Sequence, residues 1–172
     1  QPPLAERIAD DPLAFLEEVY QRANALEQYR LTFYRQERLG LIPRLGPMEK
    51  IEAAFRKRPV SVKFVWENED PDFWESVYVE GRNDNKLIVR ERKGVLGLPP
   101  VTRRLDVNDP VKLGRSKNPI TDFGLAQVAR RSLLPFEDPD IARVMTIEYK
   151  GVVNLEPISR PAHHLRFDRP AV

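Results

Sequence analysis

The chain of 172 residues has no cysteine. Disulfides, thiolate nucleophiles and cysteine-ligated metals are thereby excluded. Such a composition suits an exported protein without requiring export. Histidine is nearly absent as well: His163 and His164 are the only two. Neighbours in a strand point to opposite faces, which places this pair poorly for sharing a metal. No apolar run approaches the roughly 18 to 20 residues that cross a bilayer as a helix. Neither a P-loop nor a dinucleotide-binding glycine pattern occurs. None of Ser61, Ser76, Ser116, Ser132 or Ser159 stands in G-x-S-x-G or S-x-x-K, so no serine nucleophile is marked.

A dominant charge of one sign is missing too. The net charge is +2, with Lys and Arg alternating with Asp and Glu. A nucleic-acid reader concentrates its cations on one face, so no nucleic-acid partner is expected. The densest basic cluster, "FRKRP" at Phe55–Pro59, reads as a solvated strand end in preference to a phosphate site. "ENEDPD" at Glu67–Asp72 has the composition of a calcium loop but not its spacing, and reads as an acidic turn. No metal and no cofactor is implied.

What is present is ordinary globular material. Hydrophobic residues make up 41% and charged residues 31%, enough for one core in a chain of this length. The chain opens at Gln1 without Met or a signal peptide and reads as a processed protein, with residues 1–11 a flexible leader. The expected organisation is a single domain: a helix over 12–28, an antiparallel meander over 29–110, a helix over 118–134 and C-terminal strands over 143–172.

The first helix is announced by Asp11 as cap and Pro12 at the first helical position. Leu16, Val19, Tyr20, Ala23 and Leu26 form its apolar stripe. After Tyr29 the period changes to two, through Leu31 and Phe33, then Ile51, Ala53 and Phe55, then Val62, Phe64 and Trp66. "ESVYVEG" and "NKLIVRE" read as a hairpin joined through Gly81–Asp84. "GLIPRLGP" is a connecting loop, and "RRLDV", "VMTIEYKGVV" and "HHLRFD" are further strands. Asn118 and Pro119 predict the start of the second helix, on which Phe123 contributes to the apolar face. Consecutive strands bracketed by helices make the fold α+β, with a strongly curved antiparallel sheet and helices packed on one face.

The runs "YRLTFYRQERL", "FRKRPVSVKFVW", "VYVEGRNDNKLIVR" and "GRSKNPITDFGL" together resemble a bacterial family of unknown function exported to the cell envelope. That family is similar to the superfamily of the lipoprotein-localisation factors LolA and LolB and the related periplasmic sensor domain. The resemblance covers roughly Tyr29 to Leu134. It implies an incomplete, half-open β-barrel with helices over one mouth, a periplasmic or cell-envelope location, and further strands after "HHLRFD". It also implies an apolar ligand, a lipid or a lipoprotein acyl chain, bound without chemistry by a monomer. An envelope protein is a second expected partner.

Strand parity then names the inward set: Leu31, Phe33, Ile51, Phe55, Val62, Phe64, Trp66, Leu87 and Val89, joined by Phe123 from the helix. These residues either line a ligand cavity or fill a solid core; a small barrel can be filled by side chains alone. Three function classes stay open: an apolar-ligand binder, an interaction or envelope-sensor module using the sheet surface, and an enzyme whose carboxylates are assembled only by folding. The polar run Arg35, Gln36, Glu37 and Arg38 in "FYRQERL" reads as the wet end of a strand, paired across to the charged "RKR" segment.

Overall fold

The computed structural model describes residues 2–39, 44–67, 73–92, 99–156 and 158–169. The chain forms two compact units, one built from residues 1–25 and 125–172, the other from the continuous stretch 26–124. The protein is mixed α+β, with a large antiparallel sheet.

The continuous unit is that sheet. Its strands are β1 (Gln28–Arg35), β4 (Glu49–Arg56), β5 (Ser61–Trp66), β6 (Phe73–Val79), β7 (Leu87–Glu91) and β8 (Thr102–Leu105), in the order β1-β4-β5-β6-β7-β8. Every neighbouring pair is antiparallel. Among the described residues β1 and β8 are free edges, so no barrel closes. The expected β6–β7 hairpin is present. Gly81, Asn83, Asp84 and Asn85 all take positive φ, and the Gly81 amide donates to Asn85 Oδ1 at 2.7 Å. Between β1 and β4 the chain makes a two-residue ladder, β2 (Arg38–Leu39) with β3 (Arg44–Leu45), where a plain loop is expected; Gly40–Pro43 lie outside the described residues. Asn68–Asp72 of the acidic turn do so too. A short helix, α3 (Asp109–Lys112), and a 3-10 turn at Ile120–Asp122 complete the unit.

The other unit holds α1 (Leu4–Asp10), α2 (Pro12–Asn24), α4 (Leu125–Glu137), α5 (Pro139–Ala142) and the hairpin β9 (Thr146–Leu155) with β10 (Arg160–Asp168). Asp11 caps α2 as its sequence position predicts, accepting from the Ala14 amide at 2.9 Å. Leu16, Ala129 and Leu133 are buried in this unit.

Three sequence expectations need correction. The expected flexible leader of residues 1–11 contains ordered structure: Leu4–Asp10, a run of good helix formers, is helical and Ile8 is fully buried. The first helix stops at Asn24, four residues before the predicted end, since strand β1 claims Gln28. The helix predicted over 118–134 is broken. After the 3-10 turn Phe123 is extended, Gly124 takes φ +149°, and α4 starts at Leu125 and runs to Glu137. Asn118 caps nothing; its carbonyl accepts from Ser116 Oγ at 2.9 Å. Gly124 is the cause: its φ is one that side-chain-bearing residues avoid, and a Cβ there would lie 3.4 Å from Phe55 Cε2 and 3.5 Å from Tyr29 Oη.

Candidate functional site

The register of the sheet sorts its side chains into two faces. On one, Leu31, Ala53, Phe64, Ser76 and Val89 stand on a single rung across five strands. Phe33, Ile51 and Trp66 form the next rung, and Tyr29, Phe55, Val62 and Tyr78 the one on the other side. Alternation alone dictates this: every second residue of each strand shares a face.

All ten residues singled out by parity meet in one hydrophobic cluster. Ile51, Val62, Phe64, Trp66, Leu87 and Val89 are buried; Leu31, Phe33, Phe55 and Phe123 are half-buried and pack against them. Phe123 is the junction of the aromatics. Its ring lies 4.8 Å from Phe64, 5.5 Å from Phe33 and 6.4 Å from Phe55. The break at Gly124 is what frees Phe123 from a helix face to reach them. Phe64 meets Trp66 edge-to-face at 5.9 Å, and Trp66 meets Phe73 at 6.1 Å. Edge-to-face pairs of this kind add about 0.5–1.5 kcal/mol beyond the area they bury.

Ala53, Tyr78 and Ile120 belong to the same core and are missing from the parity set, although Ala53 and Tyr78 obey the same alternation. Phe73 carries no such signal. The ladder slips between Phe73 and Glu75, so a bulge turns Phe73 toward the cluster, while Trp74 is exposed under Arg90, whose guanidinium carbon sits 4.7 Å from its ring.

The apolar face ends in an ion-paired rung. Arg35 lies two residues after Phe33 on β1, and its partner Glu49 lies two residues before Ile51 on β4. Arg35 Nε and Nη2 each lie 2.6 Å from Glu49 Oε2, and Arg35 Nη1 lies 3.7 Å from Glu37 Oε2 and 3.4 Å from Ser116 Oγ. At the same ends of the strands Arg92 donates to the Trp66 carbonyl at 2.8 Å, and Arg115 lies 5.0 Å from the Phe73 ring. "FYRQERL" is therefore not simply a wet strand end: the Arg35 and Glu37 side chains are only 21% and 16% exposed. Glu37 Oε2 is buried without a hydrogen-bond donor among the described residues. The pairing with "RKR" is also corrected. In an antiparallel pair the C-terminal end of β1 meets the N-terminal end of β4, so Arg35 faces Glu49 while Arg56 faces Gln28. Ser116 and Arg115 arrive from a distant connection and leave no trace in the local pattern.

Other candidates resolve into structure. Tyr149 Oη and His163 Nδ1 are 2.8 Å apart across the β9–β10 hairpin. Asp138 caps α5, its Oδ1 accepting from the Asp140 amide at 2.9 Å. Glu67 takes Lys50 at 2.6 Å, which holds the Lys50 ammonium above its ordinary pKa through that hydrogen bond. Among the described residues no three His, Asp or Glu side chains gather as a metal site. Among the described residues no helix is long and apolar enough to cross a membrane.

A family model described as a protein of unknown function, DUF1571, matches residues 26–163. The chain belongs to that family. The DUF1571 match takes in the whole of the sheet unit, starting at its first residue, and runs on through α4, α5 and β9 into β10. Neither a curated protein nor a solved structure matches the chain.

Proposed function

We propose that this DUF1571 protein is a non-enzymatic periplasmic or cell-envelope protein that binds an apolar ligand, a lipid or a lipoprotein acyl chain, on the aromatic face of its sheet. The sheet would act as a half-open barrel of the LolA and LolB kind. The observation that carries the reading is the incomplete cover of that face: Leu31, Phe33, Phe55, Phe73 and Phe123 pack on the core yet remain only half-buried. Half-exposed aromatic surface beside a buried core is where an acyl chain gains most from leaving water, at about 25 cal/mol per Å² of apolar area covered. The rung of Arg35 and Glu49 supports an amphiphile, because it sets a polar boundary at one end of the apolar floor. Binding of this kind needs no reacting group, in keeping with a sequence that carries none of the catalytic motifs weighed above.

Native mass spectrometry with organic extraction, on protein purified from a bacterial periplasm, tests the proposal. A lipid retained at one per chain, and lost in Trp66→Glu that still folds, supports it. A bare protein mass, together with no uptake of a fluorescent fatty acid, overturns it. An envelope-sensor or interaction module is the second reading. It is favoured by the opposite sheet face, where Arg30, Thr32, Glu52 and Arg90 stand exposed, Arg90 over the exposed Trp74.

A further inference from the structure

The opposite face of the sheet carries a feature that an apolar-ligand binder does not need. Arg30, Ala54, Lys63, Val77, Ile88 and Arg104 stand on one rung across all six strands. Ala54 is the short residue of that rung, with Arg30 on one side and Lys63 on the other. Neighbouring strands lie about 4.8 Å apart, so the Cα atoms of Arg30 and Lys63 are about 10 Å apart, with only a methyl group between them. The result is a depression of about 450 Å³, into which Arg56 also projects from two residues along β4. Arg30, Arg56 and Lys63 are all exposed.

The lining is one-sided in charge. It includes Arg30, Arg56 and Lys63, with Gln28 and Ser61 as further hydrogen-bonding groups, and no carboxylate among the described residues. Val77 and Val79 give it an apolar wall. Lys63 is already paired with Glu75 at 2.5 Å, and Arg56 makes a long contact of 3.4 Å to Ser61 Oγ. Arg30 makes no ion pair among the described residues. A fork of guanidinium donors beside a second guanidinium fits a tetrahedral dianion better than a single carboxylate, since Arg pairs with phosphate bidentately. A second depression of about 470 Å³ adjoins the first across Arg30, Ala54 and Lys63, but Glu52 lines it and disfavours a second anion there.

We propose that this outward face binds a phosphate monoester over Ala54, held by Arg30 and Arg56 with Lys63 at its edge, the ester substituent lying toward Val77 and Val79. "FRKRP" thus contributes Arg56 to a ligand and not only to a solvated strand end. The same chemistry occurs on a soluble phosphate monoester and on the headgroup of phosphatidic acid. The site does not depend on the apolar ligand of the opposite face.

Calorimetric titration of the full chain with phenyl phosphate tests the site, with phosphatidic-acid vesicles in a phosphatidylcholine background as the second arm. Saturable binding of one phosphate per chain is expected. Arg30→Gln and Arg56→Gln should each weaken it by about tenfold or more, as loss of a charged hydrogen bond does. Ala54→Leu leaves every charge in place and should abolish binding by filling the floor. Arg104→Gln, on the same rung but outside the depression, should leave it unchanged. Binding to phenyl phosphate alone identifies a soluble ligand; sedimentation with the phosphatidic-acid vesicles that Arg30→Gln abolishes identifies the headgroup. Absence of binding in both arms overturns the proposal. So does binding that survives Ala54→Leu, or that Arg104→Gln weakens as much as Arg30→Gln, since either marks diffuse attraction to a basic surface.

Discussion

Phe123 meets Phe64 edge-on, ring centroids 4.8 Å apart and planes at 84°. That contact joins a residue of an irregular connection to the middle of a β-strand, and it closes the aromatic group through Phe33 and Phe55. Full truncation of a buried phenyl ring costs about 3–5 kcal/mol. Phe123 is half-buried, so Phe123→Ala should destabilise the protein by about 2 kcal/mol in urea unfolding. A loss under about 0.5 kcal/mol would show that the ring contacts are incidental.

Gly124 is the hinge on which that contact depends. Any side chain at φ +149° is strained, and a Cβ would also press on Phe55 and Tyr29. Gly124→Ala should cost about 1–3 kcal/mol, the range for backbone held in a disfavoured region. Thermal unfolding of the variant beside Gly81→Ala gives an internal control. Gly81 also has positive φ, at +74°, but nothing lies within 4 Å of a Cβ there. A larger loss at Gly124 than at Gly81 is the expected result.

Arg35 pairs with two carboxylates, Glu49 closely and Glu37 at 3.7 Å. Arg35→Ala should cost about 1–2 kcal/mol, less than for a fully buried pair because the side chains keep contact with water. It removes the ion-pair partner that Glu37 and Glu49 share. In the Arg35→Ala background Glu49→Gln should therefore restore stability, whereas in the native background it should reduce it. A double-mutant cycle that closes additively would remove the ion-paired rung from the account.

Acid should weaken the protein through named groups. Hydrogen bonds from Arg7, Arg58 and Arg130 hold Glu18, Glu27 and Glu137, respectively, below the ordinary carboxylate pKa of 4.5. A carboxylate whose folded pKa is depressed contributes stability above its unfolded pKa, and loses it as pH falls through the folded value. Stability should hold from neutral pH to about 5 and then decline. Glu137→Gln should flatten part of that decline, and an unchanged acid limb in its urea midpoints would count against the Arg130–Glu137 pair. Each group is solvent-exposed, so the effect per pair should be small and reduced by salt.

The strands of the sheet were legible because alternation is a local property: Leu31, Phe33, Val62, Phe64 and Trp66 declare their face two residues at a time. The hairpin turn read at Gly81–Asp84 was legible for the same reason, through residues that tolerate positive φ, and the structure adds Asn85 to it. What local pattern cannot carry is partnership across distance. Ser116 reaches Arg35 over 81 positions of sequence, and nothing near either residue marks it. Helical spacing around Ile120 and Phe123 was real, but the conformation forced at Gly124 overrode it, and Phe123 went to the sheet. The depression over Ala54 was hidden differently. It depends on one short side chain falling between two cations on different strands, which only the register reveals.

The order of segments has a consequence for synthesis. The sheet unit occupies one uninterrupted stretch, residues 26–124, whereas the helical unit is assembled from chain on both sides of it. On the ribosome, every strand of the sheet emerges before the first residue of α4. At about 5–20 residues per second, residues 125–172 follow over a few seconds. During that interval α1 and α2 exist without α4, β9 or β10. Leu16 and Ile8, both buried in the finished protein, stand on helices whose later-made neighbours α4 and β9 have yet to appear.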